Sequence, residues 1–285
     1  MSEQKSIADS LRDATQALRT AGVPEARRDA GALLSFVIGK DRTFLISHAE
    51  DRIDEVHLEH FREAVARRAQ GEPLQYITGV QDFYGREFRV TPDVLIPRPE
   101  TELLVEAALE VVAGVSMPLI CDVGIGSGCI AVTLLCERTD ARAVGVDVSE
   151  AALEIASQNA RRHGVNERIE LRISDCFDGL DPTAFDLVVS NPPYVSAGAL
   201  AGLQREVRDH EPMVALSPGV DGLRVIRRLL GDAPAFLKPN GHLIMEIGFD
   251  QGERVQTLID QTLWHLVEIR PDLQSIPRIV VLQKR

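Results

Sequence analysis

Two clusters of residues carry types and spacings suited to chemistry. One is Asp122-Val123-Gly124-Ile125-Gly126-Ser127-Gly128-Cys129; the other is Asn191-Pro192-Pro193-Tyr194. In the first, an apolar run breaks into glycines at alternate positions just ahead of a helix-like segment. Glycine lets the backbone approach a ligand closely and adopt angles other residues avoid, and a plain strand-to-helix turn would not need three of them. In the second, the apolar run Leu187-Val188-Val189 stops at an amide and two prolines. Proline cannot donate to a sheet ladder and Asn is a common turn residue, so a rigid turn is one reading. The other is chemical. A planar amino group is a poor nucleophile because its lone pair is delocalised into the adjacent π system. The Asn191 side-chain oxygen and the Pro192 carbonyl can each accept one of its two N–H bonds, aim the nitrogen at an electrophile and stabilise the positive charge that develops on it. Two prolines stiffen such a loop, and Tyr194 offers a flat face to a planar group. No general base stands out, and none is needed if the substituted nitrogen becomes strongly acidic.

The glycine loop discriminates between cofactors. A dinucleotide fingerprint, G-x-G-x-x-G/A, wants a small residue at position 129; that position is Cys129, and the third glycine arrives one place early. The spacing is instead similar to the GxGxG loop of class I S-adenosylmethionine-dependent methyltransferases. Asp147, at the end of the next apolar run, is placed to accept hydrogen bonds from two ribose hydroxyls, a role it would share with an acid of a dinucleotide fold. Ser174-Asp175-Cys176-Phe177 falls where such folds meet the adenine. The Asn191 tetrapeptide resembles the [D/N/S]PP[Y/F/W] motif of methyltransferases acting on planar amino groups.

These residues need a scaffold, and the pattern from about residue 118 onward supplies one. Apolar strand candidates at 119–123, 143–147, 169–173, 185–190, 242–247, 265–270 and 278–283 alternate with helical stretches at 130–138, 150–163, 222–237 and 251–262. That reads as an α/β fold with a doubly wound, seven-stranded, mostly parallel sheet. The connection 271–277 is too short for a parallel crossover, so one of the last two strands should run antiparallel. Earlier in the chain, Ile7, Leu11, Ala14 and Leu18 recur at helical spacing before Gly22 and Pro24; Ala30, Leu33, Leu34 and Val37 precede Gly39; and Leu58, Phe61 and Val65 precede Gly71 and Pro73. The expected organisation is a small helical bundle at 1–73, a hairpin connector at 74–98 with Tyr84-Gly85-Arg86-Glu87 between its strand-like stretches, and the sheet domain at 99–285. Pro99-Glu100-Thr101-Glu102 should open a helix.

Composition narrows the partners. The 285 residues carry a formal net charge of −12. That balance counts against a dedicated nucleic-acid binder, which needs a Lys/Arg footprint. No apolar stretch approaches a spanning helix and the N-terminus has no signal-peptide core, which points to a cytoplasmic protein. The four cysteines (Cys121, Cys129, Cys136 and Cys176) form no CxxC pair and read as reduced, packed thiols. His57 and His60 share a helical face without the further ligands a metal site requires, so no metal is expected. Nothing suggests an obligate dimer, and a monomer is expected.

The stretches Pro73–Gly79, Phe83-Tyr84-Gly85, Val94-Leu95-Ile96-Pro97-Arg98-Pro99-Glu100-Thr101-Glu102, the glycine loop, Asn191–Val195 and Glu211-Pro212 with Asp221-Gly222 occur in the order of the release factor glutamine methyltransferase family (PrmC/HemK), which the chain resembles over nearly its whole length. The resemblance implies a class I methyltransferase fold and methyl transfer from S-adenosyl-L-methionine, leaving S-adenosyl-L-homocysteine. The acceptor it implies is the side-chain amide nitrogen of the glutamine in the GGQ motif of class 1 peptide-chain release factors, with the helical bundle docking that substrate. It implies cofactor contacts from Gly124, Ile125, Gly126, Ser127, Gly128, Asp147, Cys176 and Asn191. Substrate contacts would come from Asn191, Pro192, Pro193 and Tyr194, with Asn191, Pro192 and Tyr194 catalytic. Ile125 stands where the family usually has Thr, Cys176 where many members place Trp, and 272–278 lacks the usual glycine-containing turn. The alternatives are a methyltransferase for a ribosomal-protein glutamine, whose family carries PRSP-like residues where this chain reads Pro97-Arg98-Pro99-Glu100, one for an exocyclic amino group of a nucleic-acid base, and a catalytically silent cofactor-binding module.

Overall fold

The computed structural model describes residues 5–182 and 184–285. They form two compact units. The first contains the described residues up to Gly79 together with Gln204–His210; the second contains Val80–Leu203 and Glu211–Arg285.

In the first unit four helices surround one apolar cluster: α1 (Ile7–Thr20), α2 (Ala26–Ile38), α3 (Arg42–Ser47) and α4 (Glu55–Ala69), with α5 (Leu74–Thr78) at its end. Their starts follow from capping chemistry. Ser6, Asp41 and Asp54 accept hydrogen bonds from Asp9 N, Phe44 N and His57 N at 3.1, 2.8 and 3.0 Å, satisfying first-turn donors. The periodic residues Ile7, Ala14, Leu18, Ala30, Leu33, Leu34, Leu58, Phe61 and Val65 are all buried. The short α3 escaped the periodicity because six residues show less than two turns of pattern. Deep inside, Arg68 Nε donates to Asp29 Oδ2 at 2.7 Å, and both side chains are buried. His57 lies beside its own helix cap, with Nδ1 2.5 Å from Asp54 Oδ2.

The second unit opens with the hairpin β1 (Val80–Phe83) and β2 (Arg86–Arg89), turning at Tyr84-Gly85, both at positive φ. A 3₁₀ turn, Pro99–Thr101, leads into α6 (Glu102–Val111). The remaining elements are β3 (Leu119–Val123), α7 (Cys129–Glu137), β4 (Arg142–Asp147), α8 (Glu150–Arg162), β5 (Ile169–Ile173) and β6 (Phe185–Ser190). After them come α9 (Arg205–His210, in the first unit), α10 (Met213–Leu216), α11 (Arg224–Phe236), β7 (Leu237–Glu246), α12 (Gly252–Leu258), β8 (Trp264–Pro271) and β9 (Pro277–Lys284).

The seven strands form one sheet in the order β5-β4-β3-β6-β7-β9-β8. The first five are parallel, and β9 runs antiparallel to both β7 and β8. The doubly wound, mostly parallel sheet and the antiparallel ending expected from the short 271–277 connection are both present. Successive residues of the central strands face opposite cores: Ile120, Val189, Ile244 and Val281 pack with α6, α7 and α8, whereas Cys121, Val188, Leu243 and Val280 pack with α11 and α12. Burial on both faces is why these strands read as continuous apolar runs. Two helix bounds differ from the periodicity. The expected 251–262 helix ends at Leu258, because Asp260 Oδ1 accepts from Thr262 N at 2.8 Å and turns the chain. The expected 222–237 helix starts at Arg224, because Gly222 has φ +72°.

Candidate active site

From β3 the chain winds outward through β4 and β5, then returns to the other side of β3 as β6. The strand order reverses there, and ligands of open α/β sheets bind in the crevice outside the carboxyl ends of strands at such a point. Both chemical clusters of the sequence sit on it. The glycine loop leaves the end of β3 and Asn191 leaves the end of β6. The two ends are laced together: the Ser190 hydroxyl donates to the Val123 carbonyl at 2.7 Å. Gly124, Ile125, Gly126, Ser127, Cys129, Asp147, Cys176, Asn191, Pro192 and Pro193 all line one crevice of about 1100 Å³, part of it open to solvent.

The loop's shape follows from its glycines and its anchors. Gly124, Gly126 and Gly128 have φ of +74°, +53° and +81°. A side chain on Gly128 would also press on Ala156 Cα at 3.3 Å, so this position needs glycine for space as well as for its angle. Gly124 N and Ile125 N both donate to the Val146 carbonyl at 2.9 Å. Asn159, fully buried on α8, donates to the Ser127 carbonyl at 2.8 Å while exchanging hydrogen bonds with Arg89 N and O. It thereby ties the loop to the hairpin.

Asp147 ends β4 beside the loop. Its Oδ2 accepts from Gly126 N at 2.9 Å and its Oδ1 from Ser149 N at 3.0 Å. Burial raises its pKa against the opposing pull of these amides. Beneath it, Asp122 is fully buried; Oδ2 accepts from Ala131 N at 3.1 Å, and burial pushes the carboxyl up to about 7. Cys176 is buried at φ +55°, and its small side chain lines the crevice wall.

The second cluster is held from behind. Asn191 Nδ2 donates to Thr101 Oγ1 at 3.1 Å, Thr101 Oγ1 donates to Glu246 Oε2 at 2.6 Å, and Tyr194 Oη donates to Glu246 Oε1 at 3.1 Å. Glu246, the last residue of β7, is 1 % exposed, and burial raises its pKa while the two hydroxyls pull the other way. Burial and the facing Glu246 likewise push the Tyr194 phenol well above its ordinary value. Asn191, Pro192 and Pro193 line the crevice, whereas the Tyr194 hydroxyl is committed to Glu246. Gln251, also buried, donates to the carbonyls of Tyr194 at 3.0 Å and Gly222 at 3.2 Å, and accepts from Gly248 N at 3.0 Å. Gly222 could carry no side chain, because a Cβ would lie 2.3 Å from the Tyr194 carbonyl oxygen. Across the mouth, Glu211 accepts from Arg98 Nη2 at 2.5 Å and from Ile96 N at 3.3 Å. This joins the 93–98 segment to the loop before α10, and the segment together with Val214 and Ala215 of α10 contributes to the crevice wall.

Of the residues assigned to the cofactor or substrate, all but two line this crevice; Gly128 packs instead toward Ala156 on α8, and Tyr194 turns its hydroxyl to Glu246. The chain's spacing alone did not assign Glu246, Asn159, Gln251 or a role for Thr101. For Glu246 a signal existed: a lone acid closing the apolar run His242-Leu243-Ile244-Met245 sits at a strand's carboxyl end, as Asp147 does. Among the described residues no group of His, Cys, Asp and Glu could hold a metal ion, and no helix is long and apolar enough to cross a membrane. The four cysteines are free thiols, three of them buried.

The lining fits a nucleoside carrying a charged amino-acid chain: a glycine loop without bulky side chains at one end, a carboxylate at the strand end beside it, and an apolar wall beyond. Fold and site together define a methyltransferase of the class I type. The comparisons agree. A solved methyltransferase from Pyrococcus furiosus superposes with a TM-score of 0.51 at 15 % identity, covering 77 % of this chain and 96 % of that one. The model of the PrmC N-terminal domain matches residues 9–79, and that of the methyltransferase small domain residues 100–207. Release factor glutamine methyltransferases from Cereibacter sphaeroides and Koribacter versatilis are 45 % and 42 % identical to the chain, over 96 % and 94 % of its length and equal shares of theirs. The chain belongs to the release factor glutamine methyltransferase family, as its motifs implied.

Proposed function

We propose that this protein methylates the side-chain amide nitrogen of the glutamine in the GGQ motif of class 1 peptide-chain release factors, in the cytoplasm and as a monomer. The observation that carries the reading is the placement of Asn191, Pro192 and Pro193 on the same crevice as the glycine loop and Asp147. Family membership supplies the substrate class.

In this reading, S-adenosyl-L-methionine, when bound, supplies an electrophilic sulfonium methyl and leaves as S-adenosyl-L-homocysteine. Gly124, Ile125, Gly126, Ser127 and Gly128 hold the amino-acid end of the cofactor, Asp147 accepts from the ribose hydroxyls, and the Cys176 wall faces the adenine. Asn191 touches cofactor and substrate alike. Its Oδ1 and the Pro192 carbonyl each accept one N–H of the glutamine amide. An amide nitrogen so held is turned toward the methyl with both its protons engaged, which is the positioning a delocalised lone pair requires. The same two acceptors stabilise the charge that grows on nitrogen as the C–N bond forms. The extra proton then passes to solvent, since a methylated amide cation is strongly acidic. Pro193 and the Gln251 clamp keep the loop from yielding, and Tyr194 acts through Glu246. Residues 1–73 serve as the docking domain, 74–98 as the connector and 99–285 as the methyltransferase domain. The net charge of −12 suits a protein partner better than naked nucleic acid.

The test is direct. Purified protein, S-adenosylmethionine and a release factor, with its GGQ glutamine intact or replaced by Ala, are incubated and the peptides weighed. One methyl on that glutamine, absent from the Ala control, is expected. Transfer to RNA, DNA or a ribosomal protein instead would overturn the substrate assignment.

A further inference from the structure

Behind Asn191 lies a hydrogen-bond chain that the methyl-transfer chemistry does not itself employ. We propose that Thr101 and Glu246 are positioning residues that lock the Asn191 carboxamide in the one orientation able to accept a substrate N–H. The inference rests on the amide-methylation reading above.

A carboxamide has nearly the same shape when flipped by 180°, so packing alone does not choose which end faces the crevice. Chemistry does depend on the choice: Oδ1 must face the substrate amide, because an NH₂ there would oppose the substrate's own N–H bonds. Counting protons along the chain shows how the choice is made. Burial favours the protonated form of Glu246, but the Thr101 and Tyr194 hydroxyls both aimed at it favour the carboxylate; the lock takes it in that form, in which it has no proton to give. The Thr101 hydroxyl, 2.6 Å from Oε2, must therefore spend its single proton on it. The Tyr194 hydroxyl, 3.1 Å from Oε1, does the same. Thr101 Oγ1 is left presenting only lone pairs toward Asn191, 3.1 Å away. Only the Nδ2 end can meet a lone pair favourably; the flipped amide would set two oxygens against each other with no proton between them. Oδ1 is thus forced to the opposite side.

The anchors come from three places in the chain: Thr101 from the 3₁₀ turn before α6, Glu246 from the end of β7, and Asn191 with Tyr194 from the end of β6. Thr101 and Glu246 are each 1 % exposed, so water does not compete for these groups. This gives the Pro99-Glu100-Thr101-Glu102 stretch a purpose beyond opening a helix.

Thr101→Val keeps the shape of the side chain and removes the acceptor, whereas Thr101→Ser keeps the hydroxyl. An orientation preference set by one hydrogen bond is worth on the order of tenfold in population. Without that preference the two orientations become about equally populated, so the expected result on an intact release factor is a kcat for Thr101→Val about twofold below wild type. Its S-adenosylmethionine Kd and release-factor KM should stay within about twofold, and Thr101→Ser should recover most of the turnover. A purely structural role would lower both variants together or weaken cofactor binding. Thr101→Val turning over at the full wild-type rate would refute the lock. If Thr101→Val fails to fold, Glu246→Gln serves: its amide can donate to Thr101, release that hydroxyl to bond either face of Asn191, and lower kcat with cofactor affinity unchanged. A Glu246→Gln enzyme with wild-type kcat overturns the proposal. Wild-type protein that leaves the GGQ glutamine unmethylated would instead sink the underlying function, so the two failures are distinguishable.

Discussion

Replacing Gly145 by Ala tests whether the glycine loop is held by packing from the strand beneath it. Gly145 lies buried in β4, opposite Asp122 of β3 and Leu171 of β5. A Cβ there would sit 2.2 Å from Ile125 Cδ1, 3.0 Å from Leu171 Cδ2 and 3.3 Å from Ile125 Cγ1. Its φ is ordinary for an L-residue, so the cost is steric alone. Ile125 is 4 % exposed and cannot swing into solvent, and its own amide is tied to the Val146 carbonyl. The overlap must displace the Ile125 side chain, which itself lines the crevice. Overpacking of this kind costs about 1–3 kcal/mol. The displaced side chain and loop should weaken S-adenosylmethionine binding on the order of tenfold, about 1.4 kcal/mol.

The decisive construction is the double variant. Ile125→Val deletes the Cδ1 atom that collides and leaves the 3.3 Å contact to Cγ1; alone it should cost about 0.5–1.5 kcal/mol as an ordinary core truncation. Were the two substitutions independent, their costs would add to about 1.5–4.5 kcal/mol. Relief of the collision predicts instead that Gly145→Ala/Ile125→Val is more stable than Gly145→Ala by about 1 kcal/mol and regains most of the cofactor affinity, a coupling typical of contacting residues. Urea denaturation and calorimetric cofactor titration of all four proteins read both quantities. Strict additivity, or a Gly145→Ala protein that binds like wild type, would refute the claim that Ile125 is seated on Gly145.

Gly222→Ala should disturb the other half of the site. Its left-handed φ costs about 1–2 kcal/mol, and the 2.3 Å approach to the Tyr194 carbonyl must break the Gln251 clamp; kcat should fall while cofactor Kd holds, as single-turnover kinetics and titration would reveal. Asn191→Ala should leave cofactor binding largely intact and lower kcat by about 10²–10³, the loss typical of one removed charge-stabilising partner; turnover at the wild-type rate would contradict the assigned acceptor role. Asp122 gives a pH prediction. Its folded pKa is raised from 3.8 to about 7 by burial, so the folded state holds the proton more tightly than the unfolded one. Its contribution to stability is complete below about 4 and lost as pH rises toward about 7. Denaturation midpoints should decline across that window in wild type and flatten in Asp122→Asn.

The parallel core was legible because β3, β6 and β7 are covered on both faces and so spell continuous apolar runs, and because glycine, proline and a strand-terminal acid mark the carboxyl ends where ligands bind. What could not be read is connectivity between distant segments. Thr101 and Glu246 lie 145 positions apart, and Glu211 lies 115 positions from Ile96; no local period encodes such pairs. The short helices α3, α5, α9 and α10 span four to six residues and show too little of a 3.6-residue pattern to be separated from loop. Asp260 illustrates a different blind spot. Its neighbourhood keeps a helical composition, yet a side-chain hydrogen bond to Thr262 N ends the helix two turns in, a local competition that apolar spacing does not report.

The tetrapeptide shows how sequence and structure divide the explanation. Its letters put an amide on a stiff turn at a strand's carboxyl end, which is what the proposed chemistry asks of it. They do not say which end of the Asn191 amide faces the crevice, and a flipped amide would bind the wrong partner with the same residues in place. That information sits in Glu246, a buried acid with two hydroxyls donated to it. Burying a carboxylate is costly unless it is fully hydrogen-bonded, so such a group at the end of an apolar strand calls for a reason. Stability is a weak one, since an apolar residue of similar size often serves a core as well or better. Orientation is a stronger one. A carboxylate only accepts, and in the proposed lock that single property, passed through one hydroxyl, sets the polarity of the Asn191 amide.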